Sequence, residues 1–186
     1  MAQERAPEHE TSLVQDETRT TSWEVARERL ANPENQRTSW LATTRPDGRP
    51  HLVPVIAFWI EGAIHIVAGE KTLKARNLAA NGRCVVAMST TKLPSLDIVL
   101  EGQAGPLSDD GAIRHIAEVL TESGWPLEAK GDKVWGPHAP TAGPPPYTIF
   151  RVVPSTVFGL PGMFGMDKFD QADLPRPTRW DFGSVR

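Results

Sequence analysis

The sequence predicts a mainly β fold, a small antiparallel barrel, closed or split, with helices at its edges. Three observations point to it. Six runs at residues 39–44, 51–60, 63–68, 84–89, 97–107 and 147–158 are rich in apolar and β-branched residues. Most connections between them are short, which favours hairpins over parallel crossovers. The run 51–60 is apolar on both faces, with Val53, Val55, Ala57 and Trp59 on one and Leu52, Ile56, Phe58 and Ile60 on the other. A strand covered on both sides belongs to a barrel or an interface.

Residues 1–20 are polar and rich in Glu, Thr and Gln, which predicts a disordered tail. Thr21-Ser22-Trp23-Glu24 has the spacing of a capping box, and the helix after it puts Trp23, Ala26 and Leu30 on one face before Asn32-Pro33 stops it. Arg45-Pro46-Asp47-Gly48 is a strong turn between the first two strands. Glu61-Gly62 is the next turn, and a short helix over 72–80 follows the third strand, with Gly82 as its expected stop. Residues 90–95 form a polar loop broken by Pro94, and Gly102 and Gly105 mark bends in the strand after it. Ser108-Asp109-Asp110 caps a second amphipathic helix through Ser123, with Ile113, Ile116, Ala117 and Leu120 on its apolar face. Five prolines keep 136–146 irregular. The last stretch carries Phe164, Phe169, Trp180 and Phe182, so part of it packs on the domain or a partner.

With 186 residues the chain has the length of one domain, divided as a tail 1–20, a single domain 21–182 and terminal residues 183–186. A net charge of −3 argues against bulk nucleic-acid binding, and no apolar run reaches membrane-spanning length. The polar, acidic start is unlike a signal peptide, and a single cysteine, Cys84 in a strand pattern, fits a reducing cytoplasm. Histidines 9, 51, 65, 115 and 138 are scattered, so no metal site is expected. No paired carboxylates and no nucleophile–base set stand out, so no catalytic residue is assigned and hydrolysis is not indicated.

The most pointed stretch is Gly69-Glu70-Lys71-Thr72-Leu73-Lys74-Ala75-Arg76-Asn77-Leu78, a cationic helix start between two strands. Helix N-termini offer unpaired N–H groups and partial positive charge, so Thr72 and Lys74 suit a phosphate. Taken alone, the same residues also read as a helix cap and a solvated face. His51 reads as a cofactor contact or a solvated strand end, and Trp180 as a cofactor contact or a hydrophobic anchor.

Thr43-Thr44-Arg45-Pro46-Asp47-Gly48-Arg49-Pro50-His51, Val53-Pro54-Val55 and Lys74-Ala75-Arg76-Asn77-Leu78, in that order, resemble the pyridoxamine 5′-phosphate oxidase-like split-barrel superfamily, including its flavin and deazaflavin (coenzyme F420) oxidoreductases. Val99-Leu100-Glu101-Gly102-Gln103-Ala104 is similar to a strand usual in that group, and Thr178-Arg179-Trp180-Asp181-Phe182 to the closing motif of one branch. The resemblance implies a six-stranded split β-barrel of the FMN-binding type with flanking helices. It implies a homodimer with cofactor sites at the subunit interface, no membrane or nucleic-acid partner, and a small-molecule substrate. Carried over by position, Thr72 and Lys74 hold the cofactor phosphate, Val53, Pro54 and Val55 face its ring system, and Val67 and Ala68 lie beside the phosphate. Arg179 and Trp180 reach the cofactor or close the site. The vitamin B6 oxidases carry an arginine and a lysine where His51 and Ile56 stand here, and an arginine at Leu73, which argues against that substrate. The expected activity is hydride transfer between FMN or F420 and a small conjugated or heteroaromatic molecule; the alternative is a non-catalytic flavin, deazaflavin or haem carrier or redox sensor.

Overall fold

The computed structural model describes residues 4–15, 17–32, 36–162 and 166–183. In chain order the elements are β1 (His9–Ser12), α1 (Trp23–Ala31), β2 (Gln36–Thr44), β3 (Pro50–Val55), β4 (Ala57–Ile60), β5 (Ala63–Gly69), α2 (Leu73–Ala80), β6 (Arg83–Thr90), β7 (Leu96–Pro106), α3 (Asp110–Glu122), β8 (Glu128–Lys130), β9 (Lys133–Trp135), β10 (Tyr147–Pro161) and β11 (Thr178–Asp181). All strand pairs among the described residues are antiparallel.

The pairings run round in a ring. β2 pairs β3 and β6, β6 pairs β7, β7 pairs β10, β10 pairs β5, and β5 pairs β4. β3 and β4 are one strand interrupted at Ile56, so this bent segment joins the two ends of the path and completes six staves. The expected continuous strand 51–60 therefore has a break, and the break lets its first half pair with β2 and its second with β5. A bulge between Pro154 and Thr156 bends β10 in the same way.

Alternation along the strands fills the ring. Leu41, Val55, Ala57, Trp59, Ile64, Ile66, Val86, Ile98, Leu100 and Val152 share one buried cluster, which α1 and the tail extend through Trp23, Trp180 and Phe182. Trp23 meets the rings of Trp59, Trp180 and Phe182 edge-on at 4.9–5.9 Å. A second cluster lies outside the ring, where Ile113, Ile116, Ala117 and Leu120 of α3 cover Val67 and Ile149, with Phe58 and Ile60 packed against them. Both faces of the bent strand are thus apolar for different reasons: one fills the barrel, and the α3 end of the other is covered by a helix.

Three expectations are corrected. Residues 9–12, placed in the disordered tail, form β1 along the free edge of β11, with Glu10 opposite Trp180. Main-chain hydrogen bonds hold that segment, so it needs no apolar pattern. The Thr21–Glu24 capping box is not made: Ser22 is the N-cap and makes no side-chain cap bond, Trp23 N–H donates to Glu10 Oε1 (3.0 Å), and the Thr21 hydroxyl donates to Arg176 O (3.0 Å). α2 ends at Asn81 in extended backbone rather than at a left-handed glycine. Gly82 is required there for another reason, since a Cβ would collide with Ala104 O. Pro33 and Phe164 lie outside the described residues.

Candidate cofactor site

α2 begins directly after β5, and its N-cap is Thr72, whose hydroxyl donates to Gly69 O (2.7 Å) and accepts from Ala75 N–H (3.4 Å). Lys74, in the first turn, is not on a solvated face. It is 6% exposed, and its Nζ donates to Thr141 O of the proline-rich loop. That loop is bound to the end of β5 through Gly69 N–H to Ala142 O (2.7 Å), and Tyr147 Oη donates to Pro137 O and Gly143 O (3.0 Å each). Burial lowers the Lys74 pKa. The nearest acid in sequence, Glu70, is engaged elsewhere, 2.9 Å from Lys133 Nζ on β9.

His51 and Arg45 join Lys74 from the β2–β3 hairpin. Thr43 and His51 are register partners, and Asn77 Nδ2 of α2 donates to Thr43 Oγ1 (2.9 Å), which lies 3.3 Å from His51 Nδ1. Partial burial, then the charges of Arg45 and Lys74, push the His51 pKa down. Arg45 Nε is enclosed without a hydrogen-bond partner, as is Asn77 Oδ1. Asp47, a carboxylate near Arg45, is held by Arg49 at 2.7 and 2.9 Å. The corner therefore holds a surplus of positive charge, with a buried ammonium and an unpartnered guanidinium N–H, which fits an anionic group such as a phosphate.

Beside it, on the outer face of β2, β6 and β7, is a hollow of about 690 Å³ whose lining includes Ala42, Thr44, Pro50, Val85, Glu101 and Gln103. Cys84 also borders it, but burial pushes its thiol to about 12, so it is not a thiolate at neutral pH. Next to the hollow, direct cross-strand partners form one row on the same face: Pro54, Trp40, Ala87, Val99, Phe158 and Arg179. Arg179 stacks over Phe158 at 5.9 Å and pairs with Asp181 at 2.8 Å.

The structure thus brings Thr72 and Lys74 to one corner, with Ala68 inside the barrel and Val67 under α3 nearby on β5. Val53 and Val55 point inward and Pro54 outward. It does not bring Trp180 to that corner within one chain. Trp180 is wholly buried in the barrel core and pairs with Val157, while Gly69 pairs with Tyr147 at the other end of β10. Ten residues of strand separate these positions, roughly 30 Å at ~3.3 Å per residue. Sequence reasoning did not include Asn77 or Thr43 in the site. The His51–Thr43 pairing was readable from a hairpin of known register, but the contact of both with α2 was not.

The comparisons agree with this architecture. The family described as pyridoxamine 5′-phosphate oxidase matches residues 25–160. No curated protein matches the sequence. Among solved structures, the chain is similar to a conserved hypothetical protein of Mycobacterium tuberculosis (20% identity, 76% of this chain and 86% of that one, TM-score 0.57). It is also similar to an FAD-binding protein of Mesorhizobium loti (21%, 76% and 95%, TM-score 0.53). A haem-binding protein of Mycobacterium smegmatis shares the fold at 17% identity over 74% of this chain and 54% of that one, TM-score 0.52. The matched span covers all six staves of the ring, α2 and the Thr72–Lys74 corner, and the chain belongs to the pyridoxamine 5′-phosphate oxidase-like family of split-barrel proteins.

Proposed function

We propose that the protein is a homodimeric oxidoreductase that binds FMN or coenzyme F420 and passes hydride to or from a small conjugated or heteroaromatic molecule. The observation that carries this is the cationic corner of Lys74 and Arg45, with His51 between them, beside a hollow on the barrel surface. Such a site holds a phosphate at one end and a flat ring system at the other. Bound there, the cofactor supplies the hydride chemistry, and the chain's part is to bind, orient and exclude water. Lys74 and the Thr72 helix start hold the phosphate; Val53, Pro54 and Val55 present the β3 backbone to the ring, with Val67 and Ala68 behind the phosphate. Arg179 shares the outer face with Pro54, so it and the Trp180 segment serve a site completed by a second copy.

A second copy has an apolar face to cover. Leu52 is 60% exposed, Trp40 44% and Ile56 41%, all on the outer side of β2 and the bent strand. Exposed apolar clusters of this kind mark contact surfaces. FMN ends in one phosphate, whereas F420 carries a phosphodiester and an oligoglutamate tail. The exposed Lys71 and Arg76 of the α2 segment favour the longer anion, so F420 binding is expected to be the tighter and the more salt-sensitive of the two. The test is a visible spectrum of the purified protein, fluorescence titration with each cofactor at low and high salt, and turnover of the reduced complex with quinone and enone acceptors. A Soret band, or tight binding with no turnover of any acceptor, moves the reading to a carrier or sensor. Tight, salt-insensitive FMN without F420 affinity reverses the cofactor preference.

A further inference from the structure

The corner contains one group whose charge is set by the medium. We propose that His51, seated by Thr43 and Asn77, is a proton-gated third cation of the anion site it forms with Lys74 and Arg45, so that phosphate-bearing ligands are held more tightly as the solution becomes acidic. This rests on the cofactor reading above and adds a regulation to that site.

The seat accommodates both forms of the imidazole. Thr43 Oγ1 accepts from Asn77 Nδ2 (2.9 Å) and lies 3.3 Å from His51 Nδ1 and 3.5 Å from His51 O. In the neutral ring the hydroxyl donates its single hydrogen to Nδ1, which leaves the ring proton on Nε2. In the imidazolium, Nδ1–H donates to the hydroxyl oxygen and the hydroxyl turns to the His51 carbonyl. Either way Nε2 keeps an N–H free of this seat, available to an acceptor.

The charged groups around the ring set the sign. Lys74 faces it from α2 and Arg45 from the hairpin; Asp47 answers Arg49 first. Without a ligand, two cations and partial burial oppose protonation, so His51 is neutral near pH 7. An anion placed among Lys74, Arg45 and His51 reverses the balance and favours the imidazolium. Binding then takes up a proton, and by linkage affinity rises as pH falls through the range where His51 is charged in the complex but not in the free protein. A lysine or arginine at position 51 has no such dependence.

The test uses the full chain, with FMN and inorganic pyrophosphate as probes, in wild type, His51→Gln and Thr43→Val. Both probes ionise in the same range, and that contribution is common to all variants, so the difference from wild type isolates His51. Between about pH 8 and about pH 5.5 the wild type is expected to gain about tenfold more affinity than His51→Gln. Thr43→Val, which removes the seat, is expected to lose most of that gain. NMR of the imidazole provides a second readout: pyrophosphate raises the His51 midpoint by about one pH unit. Equal pH slopes in wild type and His51→Gln, with FMN still bound, overturn this inference and leave the cofactor reading intact. A pyrophosphate-dependent shift of His51 without FMN or F420 binding does the reverse. An unmoved midpoint with no ligand bound overturns both.

Discussion

Lys74 is held at a cost to the ligand-free protein. Its ammonium is buried against a carbonyl with no carboxylate beside it among the described residues, and an amine whose pKa is lowered by burial destabilises the fold at every pH below that pKa. Lys74→Met keeps the stem and removes the charge, so its two effects have opposite signs. It is expected to raise ligand-free stability by about 1 kcal/mol, a melting shift of roughly 2–4 °C. It is expected to weaken FMN by about tenfold to a hundredfold. Calorimetry and fluorescence titration of one preparation check both. The place of Lys74 at a helix start was legible in its sequence motif, but its burial was not, because the cover comes from a loop some seventy residues on, at Thr141. His65 is the other titratable group with a stability signature. It is buried under α3 with Nδ1 unpartnered, and desolvation lowers its pKa from 6.5 to about 4. Between these values the unfolded chain takes a proton that the folded one refuses, so stability falls as pH drops from 6.5 to about 4 and is unaffected above it. The loss is on the order of 3 kcal/mol. Urea unfolding at about pH 7 and about pH 4.5 should show it in wild type and show much less in His65→Leu.

At the scale of elements, β1 does several jobs that nothing in its composition announces. Its Glu10 caps α1 at Trp23 N–H, its main chain covers the edge of β11, and the residues before it place Glu4 Oε1 at 2.9 Å from Trp59 Nε1. Removing residues 1–13 leaves a helix start uncapped and an indole N–H without its partner. A loss of about 2–3 kcal/mol is expected, seen as a fall in melting temperature of roughly 5–10 °C. An unchanged melting curve would show that β1 adds nothing. The polar strand escaped sequence reasoning because its main chain makes the pairing and its side chains carry no apolar period, whereas α3 and its Asp109 cap were legible from spacing: Asp109 Oδ1 accepts from Ala112 N–H at 2.8 Å. The proline-rich loop was rightly read as irregular, yet the three-residue strands β8 and β9 before it are too short to leave a period. That loop is positioned by Gly69, where a Cβ would lie 2.5 Å from Pro144 O. Gly69→Ala is expected to lift the loop from α2, lower the melting temperature and expose Lys74 to acylating reagents, which mass spectrometry can count.

For the whole molecule, the barrel was legible in the short connections between apolar runs and in 51–60, one face of which fills the barrel while the other meets α3 or lies exposed. The meeting of Arg45, His51 and Lys74 was not, since it depends on how a hairpin and a helix approach across the barrel mouth. The outer face of that bent strand is where a second copy is expected. Leu52→Glu places a charge in the most exposed part of it, and sedimentation should show a monomer with weakened FMN binding but an unchanged fold by circular dichroism. A dimer that survives the substitution places the interface elsewhere. The antiparallel pairing of β1 with β11 also sets where the molecule can be handled. His9, which opens β1, lies opposite Asp181, which closes β11, so a reporter or tether attached before the one or after the other leaves the sheet from the same edge. A short linker between them, with new ends cut at the exposed Gly131 turn between β8 and β9, should yield a circularly permuted protein that keeps every stave of the barrel.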